Sequence, residues 1–195
     1  MALTFAKRKT LRLKDYDYAQ SGAYFVTICV SRRKCLLGTI TDGEMKLSKY
    51  GSIVAESWQW LANAFSYILL DEWSIMPNHF HGIIFINQPH EGGSRTAPTL
   101  PKSLPLSRLV GAFKTVSSKQ INIHRKMPGI PFWQRGFYEQ VIRHEEALNR
   151  IRDYIATNPV RWELDRENQQ AVGEDDFDSW LAKFKPKPIK QEMAL

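Results

Sequence analysis

Two histidines that share one side of a predicted strand are the residues whose type and spacing most directly invite chemistry. They lie in Met76-Pro77-Asn78-His79-Phe80-His81-Gly82, and the apolar run Ile83-Ile84-Phe85-Ile86 follows at once. Successive strand side chains alternate between faces, so His79 and His81 point one way and Phe80 the other. A pair of imidazoles on one face is half of a binding site for a divalent metal. The plainer alternative is two polar residues on a polar sheet face. Pro77 has no amide donor and fits a strand start or edge. Farther on, Tyr154 and Asn158 stand four residues apart in a predicted helix. Such residues stack one turn above the other, here on the flank of an apolar stripe formed by Leu148, Ile151 and Ile155. By pattern alone, Tyr154 is an ordinary core residue with its hydroxyl at the edge, and Asn158 an ordinary helix C-terminal residue.

The elements that must position these side chains follow from periodicity and turn chemistry. Residues 24–30 are rich in β-branched and aromatic side chains and read as a strand. Segments 36–41 and 44–47 flank Asp42-Gly43, a dipeptide suited to a two-residue hairpin. Ser48 caps a helix expected over 49–64, with Ile53, Val54, Trp58 and Leu61 on its apolar face. A strand over 67–73 leads into the histidine strand, and 88–105 reads as a long polar surface loop. A second helix is expected over 106–124, then a strand over 137–143. A third helix runs from Glu145 to about Asn158, where Pro159 disfavours its continuation. Phe177, Trp180, Leu181 and Phe184 suggest a short amphipathic helix docking on the body. Alternating apolar strands with short connections imply an α+β fold, an antiparallel sheet with helices packed on its faces.

The chain has 195 residues, 43% of them hydrophobic, enough for one domain with a single core. Residues 1–162 are read as that domain with a basic arm, and 163–195 as a polar, acidic tail. The tail carries eight acids against five Lys/Arg, and the body 22 basic against 12 acidic residues. A body so basic suits a polyanion such as nucleic acid. Arg12 and Lys14 belong to the basic arm, while Lys114, Arg135, Arg143 and Arg150 are candidates for backbone phosphates or solvated surface charges. Cys29 and Cys35 do not make a disulfide framework. Without a signal peptide or a membrane-length apolar run, a cytoplasmic location is expected. Neither GxGxxG nor GxxxxGK[ST] occurs, which speaks against a nucleotide phosphate loop. His90, His124 and His144 lack matching partners and read as surface residues.

Met-Pro-Asn-His-Phe-His-Gly on a strand, followed by Tyr154-Ile155-x-x-Asn158-Pro159-x-x-Trp162 on a later helix, resembles the single-tyrosine HUH transposases. Within them the chain is most similar to the REP-associated tyrosine transposases. Gly22 to Val30, Gly111 to Thr115 and Phe132 to Arg143 add to the resemblance, which spans roughly residues 11–162. It implies a ferredoxin/RRM-like HUH endonuclease fold and a divalent metal, Mg or Mn, held by His79, His81 and Asn158. It also implies Tyr154 as nucleophile, with Tyr138 as a rival. The substrate implied is single-stranded DNA with a folded-back hairpin, nicked and transferred through a 5′-phosphotyrosine by a monomer or homodimer. A non-catalytic nucleic-acid-binding protein is the alternative. A structural zinc protein is disfavoured, since no Cys/His quartet has suitable spacing.

Overall fold

The computed structural model describes residues 20–87, 104–173 and 175–183. The basic arm with Arg12 and Lys14, most of the 88–105 loop with His90, and Phe184 lie outside them. Four strands form one antiparallel sheet in the order β4 (Ile68–Ile75), β5 (His79–Ile86), β1 (Gly22–Cys29), β6 (Tyr138–Ile142). Helix α1 (Lys49–Ala64) connects β1 to β4, and α2 (Leu106–His124) connects β5 to β6. This is the β-α-β-β-α-β order of ferredoxin-like folds. The hairpin β2 (Gly38–Thr41) and β3 (Glu44–Leu47) forms a separate ribbon before α1, and α3 (Glu145–Thr157) and α4 (Asp176–Ala182) follow the sheet. The fold is thus the expected α+β one, with strand ends moved by a residue or two.

The local reasons are legible in the chain. Asp42 and Gly43 both take positive φ, 54° and 76°, as a tight hairpin turn of right-handed twist requires. The Ser48 hydroxyl accepts from the Tyr50 and Gly51 amides and caps α1. One sheet face buries Tyr24, Val26, Ile28, Phe80, Ile84 and Ile86 under α1 and α2. Trp58 of α1 stacks tilted on Phe80 at 4.5 Å, with Phe113 of α2 edge-on at 5.4 Å. Gly82 permits this approach: a Cβ there would lie 2.6 Å from Trp58 Cζ2 and 2.8 Å from Phe80 Cε1.

The opposite face buries Phe25, Ile83 and Ile142 against Ile151, Tyr154 and Ile155 of α3 and Phe177 and Leu181 of α4. Tyr154 thus joins the buried stripe expected of α3, while Leu148 is only half-buried. β5 registers against β1 with His79 opposite Cys29 and His81 opposite Thr27, so both imidazoles lie on this second face. The sheet is consequently buried on both sides, one side apolar throughout and the other carrying the polar site. No helix among the described residues is long and apolar enough to cross a membrane.

Candidate metal centre and tyrosine site

The two histidines are buried and their Nε2 atoms are 2.8 Å apart. What each Nδ1 meets decides the state of its Nε2. His79 Nδ1 donates to Asn78 Oδ1 at 2.8 Å, which leaves Nε2 with a lone pair in the neutral ring. His81 Nδ1 is 2.9 Å from the Thr27 hydroxyl, a group able to serve either tautomer. Asn78 is itself anchored: its Nδ2 donates to the Glu167 carbonyl at 2.7 Å. Burial lowers the His79 pKa despite the opposing charges of Asp165 and Glu167. Burial, then the neighbouring His79, pushes that of His81 well down. Both rings are therefore neutral at ordinary pH, the form in which imidazole binds metals.

A carboxylate that lies outside the sequence motifs completes the cluster. Asp165 is 2% exposed, and its Oδ2 is 3.6 Å from His79 Nε2. His79, His81 and Asp165 each offer a ligand atom, and these lie within 4.8 Å of one another. Asn158 Nδ2 donates to Asp165 Oδ2 at 3.0 Å, while Asn158 Oδ1 is buried without a hydrogen-bond partner. An orphaned buried carbonyl is costly unless something polar or cationic meets it. Two facing imidazole nitrogens, one carboxylate and one unpartnered amide oxygen fit a divalent cation that accepts mixed N/O ligands, such as Mn²⁺ or Mg²⁺.

Tyr154 reaches the same place from α3. Its hydroxyl is 3.3 Å from His81 Nε2, and its ring lies 5.2 Å from the His81 ring. Phe25 stacks on His81 at 5.4 Å and meets Tyr154 edge-on. Phe177 of α4 lies flat against Tyr154 at 3.6 Å and 7°, so the tyrosine is 5% exposed. Helix α3 is pinned to its own sheet: Arg152 donates from Nε (3.0 Å) and Nη2 (2.5 Å) to Asp71 Oδ2. Asp71 sits where the β4–β5 register shifts between Leu70 and Trp73, and an irregularity of this kind re-aims a side chain.

The remaining candidates are placed as follows. Tyr138 on β6 lies on the same sheet face, edge-on to Phe25, with its hydroxyl donating to Gln140 Oε1 at 3.4 Å. The Lys114 ammonium, on the α2 side, is directed at the carbonyls of Gln134 (2.5 Å), Arg135 and Gly136. Arg150 lies 4.7 Å over the Trp180 ring. Arg135 and Arg143 are exposed, as are His124 and His144.

Sequence patterns missed a second acid and a strained turn. Glu167 is 8% exposed and pairs with Arg33 Nη2 at 2.8 Å and Arg166 Nε at 3.4 Å. It also accepts from the Cys29 thiol at 3.3 Å. Burial, then Glu167, pushes that thiol up to about 12. Arg32 and Arg33 both adopt left-handed conformations, φ 58° and 52°, each costing about 1–3 kcal/mol. An Asx or glycine would have flagged such a turn; two arginines carry no local signal for it.

No protein-family model matches the sequence. An uncharacterized protein of Haemophilus influenzae (strain ATCC 51907 / DSM 11121 / KW20 / Rd) is 34% identical over 167 residues, covering 82% of this chain and 92% of its relative. Among solved structures, a REP-associated tyrosine transposase bound to a REP hairpin superposes with a TM-score of 0.54 at 18% identity. The match covers 90% of this chain and 88% of that one.

Proposed function

As a member of one family with the Haemophilus influenzae protein, folded like the REP-associated tyrosine transposases, this chain is, we propose, a metal-dependent nuclease and strand transferase acting on single-stranded, hairpin-forming DNA. The observation that carries the reading is convergence. Two strand imidazoles, a helix-end amide, a carboxylate and a phenol, separated by up to 86 positions of sequence, share one buried polar site. His79 and His81 would hold the ion through Nε2, with oxygens from Asp165 and Asn158. The ion supplies Lewis-acid polarisation of a phosphate and stabilises the charge that develops on it.

The chain's own groups do the rest. Asn78 and Thr27 orient the two rings through Nδ1, as outer partners of metal-binding histidines do. Phe25 and Phe177 hold the Tyr154 ring so that its hydroxyl faces His81. A phenol of pKa about 10 is a weak nucleophile until nearby positive charge favours its anion. In the proposed step Tyr154 Oη bonds to phosphorus, the P–O3′ bond breaks, the phenol proton goes to solvent and the 3′-oxygen takes one up. The 5′-phosphotyrosine keeps the phosphodiester energy, so a hydroxyl can later reverse the step without ATP. Asp165 and Phe177 give the segment beyond Trp162 a part in this unit, and the Asp71–Arg152 pair favours assembly within one chain.

Incubation with hairpins from the DNA flanking its own gene, in Mn²⁺, tests this. Wild type should form a protein–DNA adduct linked through tyrosine. Tyr154→Phe should lose it while still binding DNA, and an adduct of normal yield in that variant would refute Tyr154 as nucleophile. The flat packing of Phe177 on Tyr154, equally suited to a core tyrosine, favours the second reading, a hairpin-binding protein without chemistry. That reading predicts binding with no adduct in wild type.

A further inference from the structure

We propose that Arg33 and Arg166 form a guanidinium pair that grips a phosphodiester of the bound single strand at the rim of the metal centre, with Glu167 aiming both. The inference rests on the DNA-processing reading above and adds residues that its motifs do not contain.

Position comes first. Arg33 lies on the turn that leaves β1, and this turn is sewn to the histidine strand: Val30 N–H donates to the Asn78 carbonyl at 2.8 Å, and Asn78 Nδ2 donates to the Arg33 carbonyl at 3.4 Å. Arg166 follows Asp165 directly and is exposed. The Arg33 backbone is thus one hydrogen bond from Asn78, the partner of His79, and Arg166 is one residue from Asp165.

Charge comes second. Glu167 is the buried carboxylate that both arginines share. Asp165 and Glu167 together balance Arg33 and Arg166. A divalent ion would then leave two positive charges for a phosphodiester and a phenolate to neutralise. Planar guanidinium groups match the paired oxygens of a phosphodiester better than ammonium groups do. Arg33 Nε is buried without a hydrogen-bond partner, so the Glu167 pairing leaves this donor unused.

Backbone strain comes third. Consecutive left-handed arginines persist only where the surroundings hold them, and such strain concentrates at functional sites. Lys114 is directed at carbonyls and Arg150 at an indole ring, whereas Arg166 lies 5.2 Å over the ring of Tyr138, on the sheet face that carries the histidines.

Binding of a single-stranded, hairpin-bearing oligonucleotide, followed by fluorescence anisotropy in EDTA over a salt series, tests the pair. Each phosphate contact removed from a single strand lowers the salt slope by ~0.7. Because the pair shares one phosphodiester, R33Q/R166Q should lower it by ~0.7, and R33K/R166K should retain most of the wild-type slope. R166Q alone, at an exposed position, should lower it by part of that amount and decides the matter if the double variant melts early. A wild-type slope in R166Q and R33Q/R166Q overturns the proposal. The adduct assay is read separately. A reduced slope with no wild-type adduct leaves the grip standing and sinks the nuclease. An adduct with unchanged slopes does the reverse.

Discussion

Replacing Asp165 by asparagine separates a metal ligand from a structural acid. The side chain keeps its size and one carbonyl oxygen but loses its charge. In the native site Oδ1 accepts the Glu167 amide at 2.6 Å and Oδ2 accepts from Asn158 at 3.0 Å. Asparagine offers one acceptor oxygen to these two donors, so one bond is lost and the other weakened to a neutral one, which should cost the metal-free protein about 1–3 kcal/mol. The metal-bound protein should suffer more. Outer partners of metal ligands already contribute 10–100-fold to affinity, and a buried anionic ligand belongs at the upper end of that range. With Mn²⁺ at a hundred times the wild-type Kd, binding stabilises the native state by about 2.7 kcal/mol. A hundredfold weaker site at that concentration yields only ~0.4 kcal/mol. For a chain of this size each kcal/mol moves Tm by roughly 2–4 °C. Wild type should therefore gain about 5–11 °C in Mn²⁺ and Asp165→Asn about 1–2 °C, read by differential scanning fluorimetry with and without EDTA. A variant that melts earlier without metal yet gains as many degrees from Mn²⁺ as wild type would refute the assignment of Asp165 as a ligand.

Other expectations follow from particular contacts. Gly82→Ala should lower stability by about 1–3 kcal/mol in urea unfolding, because the new methyl would lie 2.6 Å from the Trp58 ring and 2.8 Å from that of Phe80; a neutral result would mean Trp58 can shift. Asp71→Ala should cost less than ~1 kcal/mol in the same assay, the pair being partly exposed. It should nonetheless slow adduct formation by more than that loss explains, and Asp71→Arg with Arg152→Asp should recover part of the rate. With Ellman's reagent, exposed Cys35 should react in the native protein while Cys29 waits for denaturant, since its thiol is pushed up to about 12 and bonded to Glu167. Two equally fast thiols would contradict the buried Cys29–Glu167 contact.

The parts of this site written in local patterns are visible without coordinates. Period two puts His79 and His81 on one face, period 3.6 aligns Tyr154 with Asn158, and Asp42-Gly43 and Ser48 set the hairpin and α1. What composition cannot reveal is where an acidic stretch goes. Asp165 and Glu167 lie in a segment that reads as a polar, acidic tail with a docking helix farther on, yet the turn at Trp162–Leu164 is followed by two carboxylates buried against the sheet. The clue was modest: acids at alternate positions just after an apolar Trp–Leu pair. Lys114 illustrates the converse. Its charge suggested a phosphate partner, and only the fold brings three carbonyls to it. Asp71 and Arg152, 81 positions apart, belong to no periodicity at all.

Strand β5 serves two masters, with its even-numbered residues Phe80, Ile84 and Ile86 cementing the apolar layer and its odd-numbered histidines furnishing the polar one. Point substitutions at the odd positions can therefore explore new ligand chemistry while leaving the apolar layer alone. Loss or gain of one codon within the strand is another matter. It would exchange the two sets, driving imidazoles beneath Trp58 and aromatic carbon into the polar pocket. Replacement of the odd-numbered histidines should spare the fold where frame-preserving indels do not, a contrast that a deletion scan across 79–86 would expose directly.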